Sequence, residues 1–139
     1  MNKSDATLTL RNPVHPELAT IEVKALADTA ATHLCLPKQV ADQLELVEQD
    51  QREATFEDRS KKLLPYVGPG EIRFGNRSCF LGAMVLGDEV LLGTIPMECM
   101  DLVVSPMTRE VMVNPDTPDI AGAITKTNVG VGRYSQVLA

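Results

Sequence analysis

The chain is 139 residues long, 44% hydrophobic and 23% charged, a globular composition and enough length for one domain with its own core. Thirteen Lys and Arg against nineteen Asp and Glu leave a net charge of -6, which argues against nucleic acid or an anionic membrane as the main partner, since both reward basic patches. Aromatic residues are only 4% and Trp is absent, so Leu, Val, Ile and Met must build the interior.

The opening stretch MNKSDATLTL has no apolar core of a signal peptide, and no run approaches the roughly 18 apolar residues of a membrane span. Three cysteines, Cys35, Cys79 and Cys99, form an odd set without CxxC spacing. That pattern predicts no disulfide framework and a reducing, cytoplasmic compartment.

Thr7 to Leu10 reads as a short strand, closed by turns at Asn12-Pro13 and His15-Pro16. Ala19 to Leu26 alternates, with Ile21, Val23 and Ala25 on one face, and delivers Asp28 at its C-terminal end. Leu34 to Leu36 resumes strand character. Pro37 then opens a short helix, Lys38 to Leu46, with Val40, Ala41 and Leu44 as its apolar stripe. Glu48 to Lys62 is the most polar stretch and predicts a projecting hairpin or loop, and Pro65 and Pro69 punctuate the segment after it.

Glu71 to Phe74 and Ser78 to Leu86 form a hairpin around Gly75-Asn76, and Gly87-Asp88 turns the chain into Val90 to Leu92. Pro96 to Met100 suits one helical turn, and Asp101 to Val104 with Glu110 to Val113 makes a last hairpin. Short strands at this spacing mean an all-β sandwich or barrel with one or two short helices. The character changes after Pro115, so the expected organisation is a domain over 1–115 and a tail over 116–139, disordered or docked.

Within the stretch ALADTAATHLCLP, Ala25 to Pro37, the single acid is Asp28. A carboxylate between Leu26 and Ala30-Ala31 is costly to bury without a partner. The segment resembles the active-site segment of retroviral-type (retropepsin-like) aspartic proteases, which carries Asp-Thr/Ser-Gly-Ala after an apolar strand. Asp28, Thr29 and Ala31 match, and Ala30 stands where that family has glycine. The stretch Val90-Leu91-Leu92-Gly93-Thr94 is similar to the family's second signature, and MECMDLVVSP with VNP resembles its bacterial soluble members. The likeness runs from about Leu18 to Pro115.

The resemblance implies a closed acid-protease barrel with ψ-shaped loops and one Asp per chain. It therefore implies a homodimer with two copies of Asp28 at the two-fold axis. Asp28 would be catalytic, with Thr29, Ala30, Ala31, Leu92, Gly93 and Thr94 supporting its loop. A flap over Glu53 to Tyr66, turning at Phe56, Glu57, Asp58, Arg59 and Ser60, would close over an extended peptide or protein substrate. Neither metal nor cofactor is implied.

Two departures bear on activity. If Ala30 takes a positive φ, alanine there costs about 1 kcal/mol of strain, which predicts that Ala30→Gly raises activity. The flap turn also lacks glycine, although Asp58 can supply a turn. These departures motivate an alternative: a catalytically silent dimer that binds peptides or a partner protein. His33 and Cys35 alternate on a strand without a third or fourth ligand nearby, and Cys99 lacks a paired base, so both metal and thiol chemistry give way to structural roles.

Overall fold

The computed structural model describes residues 3–125. In chain order the elements are β1 (Lys3–Arg11), β2 (Ile21–Asp28), β3 (Leu34–Leu36), α1 (Lys38–Gln43), β4 (Val47–Thr55), β5 (Lys61–Phe74), β6 (Arg77–Val85), β7 (Val90–Leu92), α2 (Thr94–Cys99), β8 (Leu102–Val104) and β9 (Val111–Val113). Over the described residues the protein is all-β with two short helices, as the turn spacing predicted.

One sheet runs β1-β2-β7-β3-β6-β5-β4, and an extra pairing of β1 with β5 closes its first six strands into a barrel. The inward set of β1 is Ala6, Leu8 and Leu10, alternating with exposed Asp5 and Thr7. β1 starts at Lys3 rather than Thr7, because Ser4 to Leu10 pair residue by residue with β2, from Ser4 opposite Ala27 to Leu10 opposite Ile21. Ala25, Ala27, Leu34, Leu36, Val90 and Leu92 join the same core.

Proline does not break β5, contrary to the sequence expectation for Pro65 and Pro69. The strand pairs with β4 from Lys61 to Gly68 and with β1 from Glu71 to Arg73. Pro69 lies between these two ladders, at an irregularity between Val67 and Gly70. A residue without an N–H costs nothing where the strand changes partners. Helix α1 ends at Gln43, short of the predicted Leu46: Asn12 Nδ2 donates to Leu44 O at 2.9 Å, and Glu45 turns left-handed at φ 53°.

Cys79 of β6 and Cys99 of α2 are joined in a disulfide, with Cα atoms 6.1 Å apart. This corrects the expectation of unpaired cysteines. The partners are 20 residues apart and meet only through the packing of α2 on β6, which no local spacing announces. Cys35 is the free thiol, and it is buried.

Residues just past the expected boundary at 115 bond back to the barrel. Asp101 Oδ2 accepts from Thr117 Oγ1 at 2.5 Å and from the Gly122 N–H at 2.7 Å, while Asp101 Oδ1 accepts from Asn114 Nδ2 at 3.1 Å. The Thr117 hydroxyl first, then Asn114 and the Gly122 amide, pull the Asp101 carboxyl down to a pKa of about 2. Asn76 Nδ2 donates to Pro118 O at 2.9 Å, and the buried Arg77 donates through Nη2 to Thr117 O. The tail is thus a bonded segment as far as Gly122. The rest of the expected tail, 126–139, lies outside the described residues. Among the described residues no helix is long and apolar enough to cross a membrane.

Candidate functional site

Asp28 ends β2, where the strand runs parallel to β7 with Ala25 opposite Val90 and Ala27 opposite Leu92. The two strands therefore end side by side, and the loops that follow them leave the sheet next to one another. Asp28 opens its loop with a tight turn: the Ala31 N–H donates to Asp28 O at 3.0 Å, and the Ala30 N–H to Asp28 Oδ1 at 3.0 Å. One carboxylate oxygen is thereby held by its own loop.

The second loop locks onto the first at Gly93. Thr94 N–H donates to Ala31 O at 3.0 Å and Ile95 N–H to Thr32 O at 2.9 Å. A Cβ at Gly93 would lie 2.5 Å from both His33 O and the Thr32 carbonyl carbon. These are backbone atoms, so only glycine permits the crossing. The structure therefore brings Asp28, Ala31, Leu92, Gly93 and Thr94 together. Leu92 is fully buried beneath them, while Thr29 and Ala30 sit exposed in the turn.

The left-handed backbone considered for Ala30 does not occur. Among the described residues the non-glycine positive φ values belong to Glu45, Arg59, Asp101 and Arg109. The strain argument for Ala30→Gly falls with it. The strain sits instead at the end of the β4–β5 hairpin, where Arg59 takes φ 68° in the place glycine would suit. That turn is closed by Phe56 N–H to Ser60 O at 2.9 Å and Arg59 N–H to Phe56 O at 2.8 Å. Asp58 Oδ1 accepts from Ser60 Oγ at 2.5 Å and from Ser60 N–H at 2.9 Å, which lowers the Asp58 pKa. Phe56 is half-buried, whereas Glu57, Asp58, Arg59 and Ser60 are exposed.

Register reveals a floor between the two. Leu26 lies opposite Leu91, Leu91 opposite Cys35, Cys35 opposite Met84, and Met84 opposite Tyr66. Paired residues share a face, so an apolar stripe crosses five strands, and Asp28, two residues beyond Leu26, shares that face. Leu64 and Ala54 on the hairpin's inner face pack against this stripe. Its far end is polar. The Arg52 guanidinium lies 4.4 Å above the Tyr66 ring, and His33 meets the ring edge-on at 6.1 Å. Burial, and then the Arg52 charge, lower the His33 pKa, while burial raises that of Cys35. Sequence reading missed this stripe because its residues come from five separate strands. Only the ladder registers unite them.

No family model matches the chain, and no curated protein matches it either. Among the described residues no group of three or more His, Cys, Asp or Glu side chains could hold a metal ion.

Proposed function

We propose that the chain is a retropepsin-like aspartic endopeptidase that works as a homodimer, with Asp28 from each copy at the two-fold axis. The observation that carries this reading is the crossing of the Asp28 loop with the Gly93 loop, held by Thr94 N–H to Ala31 O and Ile95 N–H to Thr32 O. The six-strand closure, the β4–β5 hairpin over an apolar floor and the likeness of the Asp-Thr-Ala-Ala and Leu-Leu-Gly-Thr segments support it.

Two carboxylates about 3 Å apart cannot both ionise, so they share one proton and titrate as a pair. The ionised Asp28 takes a proton from a bound water, and the protonated one polarises the scissile carbonyl. Thr29, by the resemblance, hydrogen-bonds across the axis and ties the loops together. An extended peptide lies on the Leu26–Leu91–Cys35–Met84 floor beneath the hairpin.

Asp28→Asn tests this against a mixed peptide library at acid and neutral pH. Cleavage is expected to fall by about a thousandfold or more, with the dimer intact by sedimentation. Retained cleavage, or a wild-type protein that cleaves as a monomer, would refute the proposal. The second reading, a silent dimer that binds extended peptides, draws on Ala30 and the glycine-free hairpin turn. Binding of a pepstatin-like inhibitor without any turnover would select it.

A further inference from the structure

We propose that the Cys79–Cys99 disulfide is a thiol-controlled clamp on the Asp28 loop: oxidised, it fixes α2 and with it the loop crossing, and a dithiol reductant releases both. Helix α2 is where two anchors of the molecule meet. Its leading residues, Thr94 and Ile95, donate the two N–H groups that hold Ala31 O and Thr32 O. Its last residue, Cys99, is tied covalently to β6. Asp101, two residues further on, holds Thr117, Asn114 and Gly122.

A six-residue helix does not hold itself in place. Six residues lie far below the length at which a helix is stable alone. α2 has no side-chain cap at Gly93, no acid in its first turn and no base in its last, so nothing local favours it electrostatically. What positions it is the burial of Pro96, Met97 and Met100, together with the covalent bond at its end. Removing that bond leaves the end of the helix free to fray, and the two amides that clamp the Asp28 loop lie only one turn away.

The two sulfurs are placed asymmetrically. Cys79 is 3% exposed, whereas Cys99 is exposed and lines a cleft with Ile95, Glu98 and Ala123. A thiolate of the reductant attacks Cys99 Sγ, the sulfur–sulfur bond breaks, and Cys79 leaves as a thiolate that takes up a proton. The second thiol of the reductant then displaces Cys99 and leaves with its partner as a cyclic disulfide. Two electrons pass to the protein, and the reductant gives up its two protons to the two cysteines. Reoxidation by a disulfide reverses each step. Cys35, buried with a raised pKa, takes no part.

The test compares the purified protein with and without dithiothreitol, and a Cys79→Ala/Cys99→Ser variant with neither treatment. Thiol alkylation followed by mass spectrometry is expected to show Cys79 and Cys99 blocked in the untreated protein and alkylated after reduction. Hydrogen exchange at the Thr94 and Ile95 amides is expected to rise roughly tenfold on reduction and to be fast in the variant throughout. Turnover of a cleaved peptide, where there is turnover, falls in parallel. Free Cys79 and Cys99 in the untreated protein, or exchange at those amides unchanged by reduction, overturns the clamp. The turnover consequence rests on the peptidase reading, but the exchange readout does not. A protein that never cleaves but shows the exchange change therefore sinks that reading and leaves the clamp standing.

Discussion

The loop crossing at Asp28 and the turn at the end of the β4–β5 hairpin are both tight reversals, but they are built on opposite terms. The crossing joins two distant parts of the chain through backbone hydrogen bonds, over a fully buried Leu92, at a glycine no other residue can replace. The hairpin turn is local: its bonds run among Phe56, Asp58, Arg59 and Ser60, four of its five residues are exposed, and a strained Arg59 is tolerated there. Regions with few buried contacts open at little cost, whereas a crossing anchored in the core opens only at a higher one. Precision is concentrated where the acid is held. The segment lying over the floor is left cheap to deform.

The largest expected effect lies at the crossing. Gly93→Ala forces a methyl group into the backbone of Thr32 and His33 and is expected to destabilise the fold by about 3 kcal/mol. Urea unfolding measures it, and a loss below about 1 kcal/mol would show that the two loops can part without harm. At the hairpin the sign reverses. Arg59→Gly relieves the left-handed backbone but loosens the unfolded chain, for a net gain of about 0.5 kcal/mol. A loss of similar size in the same assay would mean that the Arg59 side chain matters more than its φ.

The smallest effect is a pH dependence. Asp58 has its pKa lowered by Ser60, so the turn keeps this stabilisation above the ordinary carboxylate pKa and loses it as pH falls through the lowered value. The protection factor of the Ser60 amide, taken relative to the intrinsic exchange rate at each pH, should therefore fall in acid while that of Thr94, bonded to a backbone carbonyl, holds. Equal loosening at both amides would erase the contrast between the two reversals.

Much of the fold was legible in the sequence. Leu34 to Leu36 and Val90 to Leu92 match β3 and β7 residue for residue, because turn residues bound each short apolar run on both sides. Asp28 and Gly93 were both singled out, and the loops they open are bonded to each other. β5 was cut too short because Pro65 and Pro69 read as breaks, whereas Pro69 falls where the strand changes neighbours and Pro65 on a stretch paired with β4 alone. The disulfide, the Arg52–Tyr66–His33 stack and the Asp101 anchor all depend on residues 13 or more positions apart, or on a backbone turn at Asp101 that no residue type announces. Ala30 shows the converse error. A family expectation suggested a left-handed glycine site, and the local backbone does not require one.

Beyond the barrel the hairpin has margins unpaired among the described residues: there β4 pairs only with β5, and Lys61 to Pro65 of β5 pair only with β4. Such free edges recruit other chains into sheets unless something repels them. Glu48, Asp50, Arg52, Glu53, Lys61 and Lys62 spread charge of both signs along these edges, and Pro65 lacks a donor. Charge of both signs and a missing donor leave few alignments in which a second strand can pair along these edges. At high concentration, this charge pattern should keep the molecule from growing into fibres through the open edges of its hairpin.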